Sequence, residues 1–337
     1  MYQRYIVLIF EINIKLVTKI AVMGQLWTEK YRPTALSDIK GQAVIIDRMK
    51  SMVESKNISN LLFAGPAGVG KTTTILAIAH EIYGETWKEN VMETNASMDR
   101  GIDHIREGIK NFARTKSVAR VPFKLCILDE ADALTKEAQQ ALRRTMEVYS
   151  DNCRFCLLAN YSSKIIEPIQ SRCTVFRFKP LEEKAMKKII EELAKKEQLK
   201  ISDSAISALY NISEGDVRRA INVLQSCAVL KKDIDESLIY ELVSAARPKE
   251  IREVINKAIT GNFIQAREQL LDLMLKYGFS GFDAIRQIQK EIFQLDLAGE
   301  KKAQLIERCG EIEFRMVEGS DEYLQLEALL ASFSLVK

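Results

Sequence analysis

The chain has 337 residues, 47% of them hydrophobic and 28% charged, with a formal net charge of +3. That length accommodates two or three domains with real cores, and the composition excludes an intrinsically disordered chain. A charge so close to balance excludes bulk electrostatic attraction to nucleic acid, so any basic surface must be local.

Residues 1–23 read as an N-terminal extension outside the fold. Ile6-Val7-Leu8-Ile9-Phe10 is apolar, but Glu11, Lys15 and Lys19 break the run, which is too short and too charged to span a membrane. No small-residue cleavage site follows, and Met23 makes a natural beginning. From about residue 40 to 180, short apolar runs alternate with helical periodicity, the pattern of a parallel α/β sheet. Strands are expected at 61–64, 91–95, 123–128, 154–159 and 174–178, and helices at 42–55, 71–83, 102–114, 136–148 and 165–170.

The first strand and its helix enclose Gly65-Pro66-Ala67-Gly68-Val69-Gly70-Lys71-Thr72, a full match to the phosphate-binding loop G-x-x-x-x-G-K-[ST]. Its glycines let successive backbone N–H groups turn inward around a phosphate chain, at the positive end of the helix that Thr73 continues. Lys71 is placed to reach the β- and γ-phosphates, and the Thr72 hydroxyl to ligate Mg²⁺. The apolar strand 123–128 then ends in Asp129-Glu130. Beside a P-loop, Asp129 suits Mg²⁺ and Glu130 suits the orientation of an attacking water. The same two acids also suit a simple cap for the helix beginning near Thr135. Asp129-Glu130-Ala131-Asp132 spells DEAD, but an RNA helicase needs a second RecA-like domain, and the chain beyond 181 reads as helical throughout.

From Pro180 the strand signal disappears. Helices are expected over 182–197, 203–212, 216–230 and 236–244, with Asp203 and Asp216 as N-caps. Arg247-Pro248 marks a second boundary, followed by five helical stretches broken near Gly261, Gly278, Gly281, Ala298 and Gly319. Three domains follow: a core at 24–180, a helical lid at 181–246 and a helical bundle at 247–337. Six scattered cysteines, with Cys153-x-x-Cys156 the only close pair and neither His80 nor His104 near it, read as buried thiols rather than zinc ligands or disulfides.

Several segments together resemble replication factor C, a family of AAA+ clamp loaders. They are Trp27-Thr28-Glu29-Lys30-Tyr31-Arg32-Pro33, Asn95-Ala96-Ser97 with Asp99-Arg100-Gly101, Gln139-Gln140-Ala141-Leu142-Arg143-Arg144, Asn160-Tyr161-Ser162-Ser163-Lys164, Ser171-Arg172-Cys173 and Gly215-Asp216-Val217-Arg218-Arg219. The likeness runs from about residue 24 to the end and is strongest over 135–180, where it looks like an archaeal or eukaryotic small subunit. It implies a AAA+ P-loop core, a small helical lid and a C-terminal helical collar that makes the oligomer. It further implies an ATPase, dependent on ATP and Mg²⁺, that works in a pentamer with other small subunits and a large subunit. Such a complex opens a ring-shaped sliding clamp and closes it around primer–template DNA without reading sequence, in an archaeal-like cytoplasm, associated with the nucleoid.

Carried over by position, Asn160 resembles sensor 1, Arg218 resembles sensor 2 on the same subunit's ATP, and Arg172 resembles an arginine finger that acts in trans on a neighbour's ATP. Trp27, Arg32 and Lys40 fall near the adenine end. Arg100 and Arg106, with Lys164 a weaker candidate, match positions that face the DNA backbone; a solvated helix face is the other reading of the charges on 102–116. Met98, Ala67 and Val69 depart from the usual family residues, yet none of them removes a phosphate donor or a metal ligand. A AAA+ motor of the branch-migration helicase type is the competing function, and it requires a winged-helix domain that 248–337 does not suggest. A non-catalytic scaffold subunit would be expected to have lost Lys71, Glu130 or Arg172, and all three are present. No clamp-binding peptide motif is found, so clamp contact falls to the folded surface of the core.

Overall fold

The computed structural model describes residues 25–55, 58–98, 105–117, 121–243 and 246–335; the expected extension at 1–23 lies outside them. The first part of the chain runs through α1 (Ala43–Glu54), β1 (Leu61–Ala64), α2 (Lys71–Tyr83), β2 (Val91–Asn95), α3 (Lys110–Arg114), β3 (Lys124–Asp129), α4 (Lys136–Val148), β4 (Cys153–Ala159) and β5 (Thr174–Arg177). The five strands pair in the order β2-β3-β4-β1-β5, and every pairing is parallel. Side chains alternate across the sheet because the strand period is two residues. Leu61, Phe63, Ile127, Cys156 and Leu158 pack with α1 and α2, while Leu62, Cys126, Leu128, Phe155 and Leu157 pack with α4 on the opposite face. Burial on both faces explains why these strands are continuous apolar runs. Each fully buried side chain the size of Phe63 or Phe155 contributes about 1.5–3 kcal/mol.

Two expected helices differ. The stretch 102–114 contains a π-helical turn, Ile105–Ile109, before α3 begins. The stretch 165–170 shrinks to the single turn Glu167–Gln170, because Ile166 is extended (φ −62°, ψ 143°) and Pro168 fits only a first turn.

Three helices follow: α5 (Glu183–Lys196), α6 (Asp203–Ser213) and α7 (Val217–Leu230). Asp216 caps α7, its side chain accepting the Arg219 N–H at 2.9 Å. The cap of α6 is Ser202 rather than Asp203; Ser202 Oγ accepts the Ala205 N–H at 3.2 Å. Asp203 instead occupies the first helical position, where its charge suits the helix dipole.

The chain divides into two compact units, one running up to Asp233 and the other beginning at Ile234. The first unit therefore holds the sheet together with α5–α7, so the sequence boundary at 180 separates elements of a single unit. The second comprises α8 (Glu236–Val243), α9 (Pro248–Ile259), α10 (Phe263–Tyr277), α11 (Gly281–Ile292), α12 (Gly299–Val317) and α13 (Glu322–Ser334). Helix α8, placed with the lid by sequence, belongs here; Arg247 Nη2 donates to Ser237 Oγ at 2.5 Å. The core of this unit is built from Ile251, Ile255, Leu270, Ile288, Leu305, Leu329 and Phe333.

Cys126, Cys153, Cys156, Cys173 and Cys309 are free thiols, all buried except the half-buried Cys173. Burial pushes Cys153, Cys173 and Cys309 up to about 12. Among the described residues no metal-ligand cluster is found, and no helix is long and apolar enough to cross a membrane.

Candidate nucleotide site

The carboxyl ends of β1, β4 and β3 converge on one cleft, the place where parallel sheets put their ligands. The loop leaving β1 is shaped by two close approaches. A Cβ at Gly65 would lie 2.4 Å from the Phe178 carbonyl oxygen, and one at Gly68 (φ +68°) would lie 1.7 Å from Asp216 Oδ1. Gly65 is held to glycine by backbone, whereas a side chain at Gly68 would displace the Asp216 carboxylate and take a left-handed backbone. The Val217 N–H also donates to the Gly68 carbonyl at 3.0 Å, so the loop tip is joined directly to the start of α7.

Lys71 opens α2 and is buried. Its Nζ donates to the carbonyls of Gly65 (2.6 Å) and Pro66 (2.7 Å) and to Asn160 Oδ1 (3.1 Å). Burial lowers its pKa, partly offset by the carboxylates of Asp129 and Asp132. Thr72 Oγ1 donates to Asp129 Oδ2 at 3.0 Å. A hydroxyl and a carboxylate side by side at the mouth of a phosphate cradle form a hard-oxygen donor set that fits Mg²⁺. Glu130 follows with a left-handed backbone (φ +52°), and its side chain stands exposed at the cavity wall. Its N–H donates to Asp129 Oδ1 at 2.8 Å, which holds the neighbouring acid in place.

The cavity measures about 230 Å³. Of the residues expected from sequence, Arg32, Lys40, Ala67, Gly68, Val69, Gly70, Lys71, Thr72, Thr73, Asp129, Glu130, Asn160 and Arg218 line it. Gly65 and Pro66 contribute the carbonyls that receive Lys71. Arg32 Nε is buried without a hydrogen-bond partner. The same guanidinium is ion-paired to Glu29 through Nη2. Trp27 does not line the cavity. It is buried beneath α7, its backbone N–H donating to the buried Gln225 Oε1 at 3.0 Å.

Sequence reasoning missed the contribution of the helical layer. Ile189 and Leu193 of α5 and Val217 and Ile221 of α7 also line the cavity, each pair four residues apart on one helix face. That spacing was visible but indicates only an apolar face. Besides the Trp27–Gln225 bond, two ion pairs fasten this layer to the segment before β1: Lys30 Nζ to Glu197 Oε1 (2.6 Å) and Lys40 Nζ to Glu192 Oε1 (3.3 Å).

Arg172 stands apart. It is exposed outside the cavity, ion-paired to Glu147 of α4, with Nη1 donating to the Pro168 carbonyl at 2.8 Å. Lys164 is also exposed, its Nζ 5.0 Å from the centre of the Tyr161 ring. Arg100 and the side chain of Arg106 lie outside the described residues.

A P-loop at the end of the strand between β4 and β5, an acid pair ending β3, and helices closing the cleft define an ATPase of the AAA+ class. Residues 61–181 match the ATPase family associated with various cellular activities (AAA), 188–229 the RCF1/5-like AAA+ ATPase lid domain, and 246–332 the replication factor C C-terminal domain. Among its relatives are the replication factor C small subunits of Archaeoglobus fulgidus, 51% identical over 92% of this chain and 97% of that one, and of Methanococcus vannielii, 50% identical over 94% and 100%. The chain belongs to the replication factor C small-subunit family and is an ATP-hydrolysing clamp-loader subunit of DNA replication. The Thermotoga maritima RuvB Holliday junction branch migration motor is similar in fold, with a TM-score of 0.52 and 20% identity over 68% of this chain and 79% of that one. At that identity the likeness speaks for the fold alone.

Proposed function

We propose that the chain binds ATP with Mg²⁺ and hydrolyses it only as part of an assembled clamp loader. In this reading the complex is a pentamer in which small subunits and a large subunit together open the sliding clamp and close it on primer–template DNA. The observation that carries the reading is the position of Arg172, exposed on the surface and outside its own chain's cavity. An arginine there does not serve its own chain's nucleotide, and released from Glu147 it is placed to serve a neighbour's; a trans arginine is worth about 10³–10⁵-fold in phosphoryl-transfer rate.

Within the chain, Gly65–Thr73 cradle the phosphates and Lys71 neutralises them. Thr72 and Asp129 hold Mg²⁺, which offsets charge between the β- and γ-phosphates when bound. Glu130 orients and polarises the attacking water, and Asn160 helps to place it. Arg218, in the first turn of α7, contacts the same nucleotide, while Arg32 and Lys40 serve the adenine end. The placement of Trp27 favours a structural role for that residue. The core at 24–180 and the lid helices α5–α7 form the switch, and the C-terminal unit from α8 onward forms the collar. Support for the collar comes from Phe293, Phe314, Val317 and Leu324, all exposed in the C-terminal unit. Arg100, Arg106 and Lys164 are the proposed contacts to the DNA backbone, and the proposed site of action is the nucleoid of an archaeal-like cytoplasm.

The test is the ATPase rate of the assembled complex with clamp, with primed DNA, with both together and with junction DNA alone. Joint stimulation above either alone supports loading. Stimulation by junction DNA alone, with no response to clamp, contradicts it and favours the branch-migration motor.

A further inference from the structure

The acid run after β3 contains one carboxylate that the nucleotide chemistry leaves unused. Asp132 lies in the 3₁₀ turn Ala131–Ala133, two residues past Glu130. Its Oδ1 accepts the Asn160 N–H at 3.2 Å, and its Oδ2 accepts the Tyr161 N–H at 3.3 Å. A single carboxylate thus holds two successive backbone N–H groups just past the end of β4. The β3–β4 ladder has its last rung at Leu128↔Leu157, although β1 still pairs with β4 as far as Ala64↔Ala159, so Asn160 lies three residues beyond the β3–β4 pairing and one beyond the β1–β4 pairing. Asp132 fastens the two strand ends where the ladder no longer does. It does not line the cavity, whereas Asn160 does, with Oδ1 receiving Lys71 Nζ at 3.1 Å.

We propose that Asp132 is a positioning residue for ATP hydrolysis, fixing Asn160 relative to Glu130 and Lys71 without touching the nucleotide. The inference rests on the reading of Asn160 as a group that places the attacking water. A connected series follows: the turn that directs Glu130 into the cleft also carries Asp132, Asp132 sets the Asn160 backbone, and the Asn160 side chain meets Lys71. A group loosened by about 1 Å at such a site loses about a hundredfold in rate while ground-state binding is spared.

The test uses complexes assembled with D132A, D132N, N160A or the D132A/N160A pair, each measured for kcat, for ATP Kd by direct titration and for melting temperature. D132A is expected to lower kcat about ten- to a hundredfold, with Kd held within about threefold. The double variant is expected to be no slower than N160A alone, because Asp132 acts through Asn160. D132N, which keeps one acceptor oxygen, should fall between wild type and D132A, and it serves in place of D132A if that variant fails to fold. Three results overturn the proposal: an unchanged kcat in D132A, a loss of ATP affinity as large as the loss of kcat, or losses that multiply in the double variant. Wild-type kcat in N160A would instead remove the reading of Asn160 itself, and the proposal with it.

Discussion

Gly68 offers a sharp test of the contact between the phosphate loop and the helical layer. Alanine at this position would take a left-handed backbone at φ +68°, which costs about 1–2 kcal/mol for a residue with a Cβ. The new methyl would also stand 1.7 Å from Asp216 Oδ1 and 2.2 Å from its Cγ. No rotation of alanine relieves that clash, so the carboxylate must swing away and release the Arg219 N–H that it caps. Loss of an N-cap costs about 1 kcal/mol. The two effects together come to about 2–3 kcal/mol, or about 30- to 150-fold in an equilibrium constant. The assay is denaturant unfolding of the nucleotide-free chain, followed by ATP titration of the folded variant. Combining Gly68→Ala with Asp216→Ser, which shortens the side chain but leaves a capping oxygen, should recover about 1 kcal/mol. A Gly68→Ala chain that unfolds and binds ATP like wild type would refute the claim that the loop and α7 are joined at this point.

Removal of the Lys71 charge should separate function from stability. Lys71→Met is expected to abolish ATP binding, yet to melt no lower than wild type at pH 7, because a desolvated ammonium is removed. The folded pKa of Lys71 lies below 10.5, so between those two values the unfolded chain holds more protons and wild-type stability rises with pH. The melting-temperature gap between the proteins should therefore shift in favour of wild type as pH climbs toward 10.5, and a gap independent of pH would contradict the buried charge. Gln225→Ala strands the buried Trp27 N–H without its acceptor. It should cost about 1–3 kcal/mol in denaturant unfolding, whereas a loss near zero would mean that Trp27 is not held by α7.

Much of the nucleotide site was legible because its chemistry lies in contiguous residues. The loop 65–72 and the pair Asp129-Glu130 follow local rules: glycine where backbone must turn or approach closely, and acids where a buried strand ends. The sheet was legible for a similar reason, since strands buried on both faces must be apolar runs. What sequence could not supply is distance across the fold. Trp27 and Gln225 are 198 residues apart, and nothing local pairs them. In sequence Asp132 is only a letter in DEAD, because its hydrogen bonds reach a strand end 28 residues away. The division into domains was blurred likewise. Helix α8 reads like its predecessors in periodicity, and only packing assigns it to the C-terminal unit. Adjacent candidates also compete for a cap, as Ser202 and Asp203 do, and backbone geometry decides between them.

The central claim is that the ATP site is completed by a neighbouring subunit, and substitution of Arg172 tests it most directly. The measurement is ATP binding and hydrolysis by the assembled complex carrying Arg172→Ala, with clamp and primed DNA present. ATP affinity should remain at the wild-type value while hydrolysis falls by about 10³-fold. Equal hydrolysis by the variant and wild-type complexes would contradict the account.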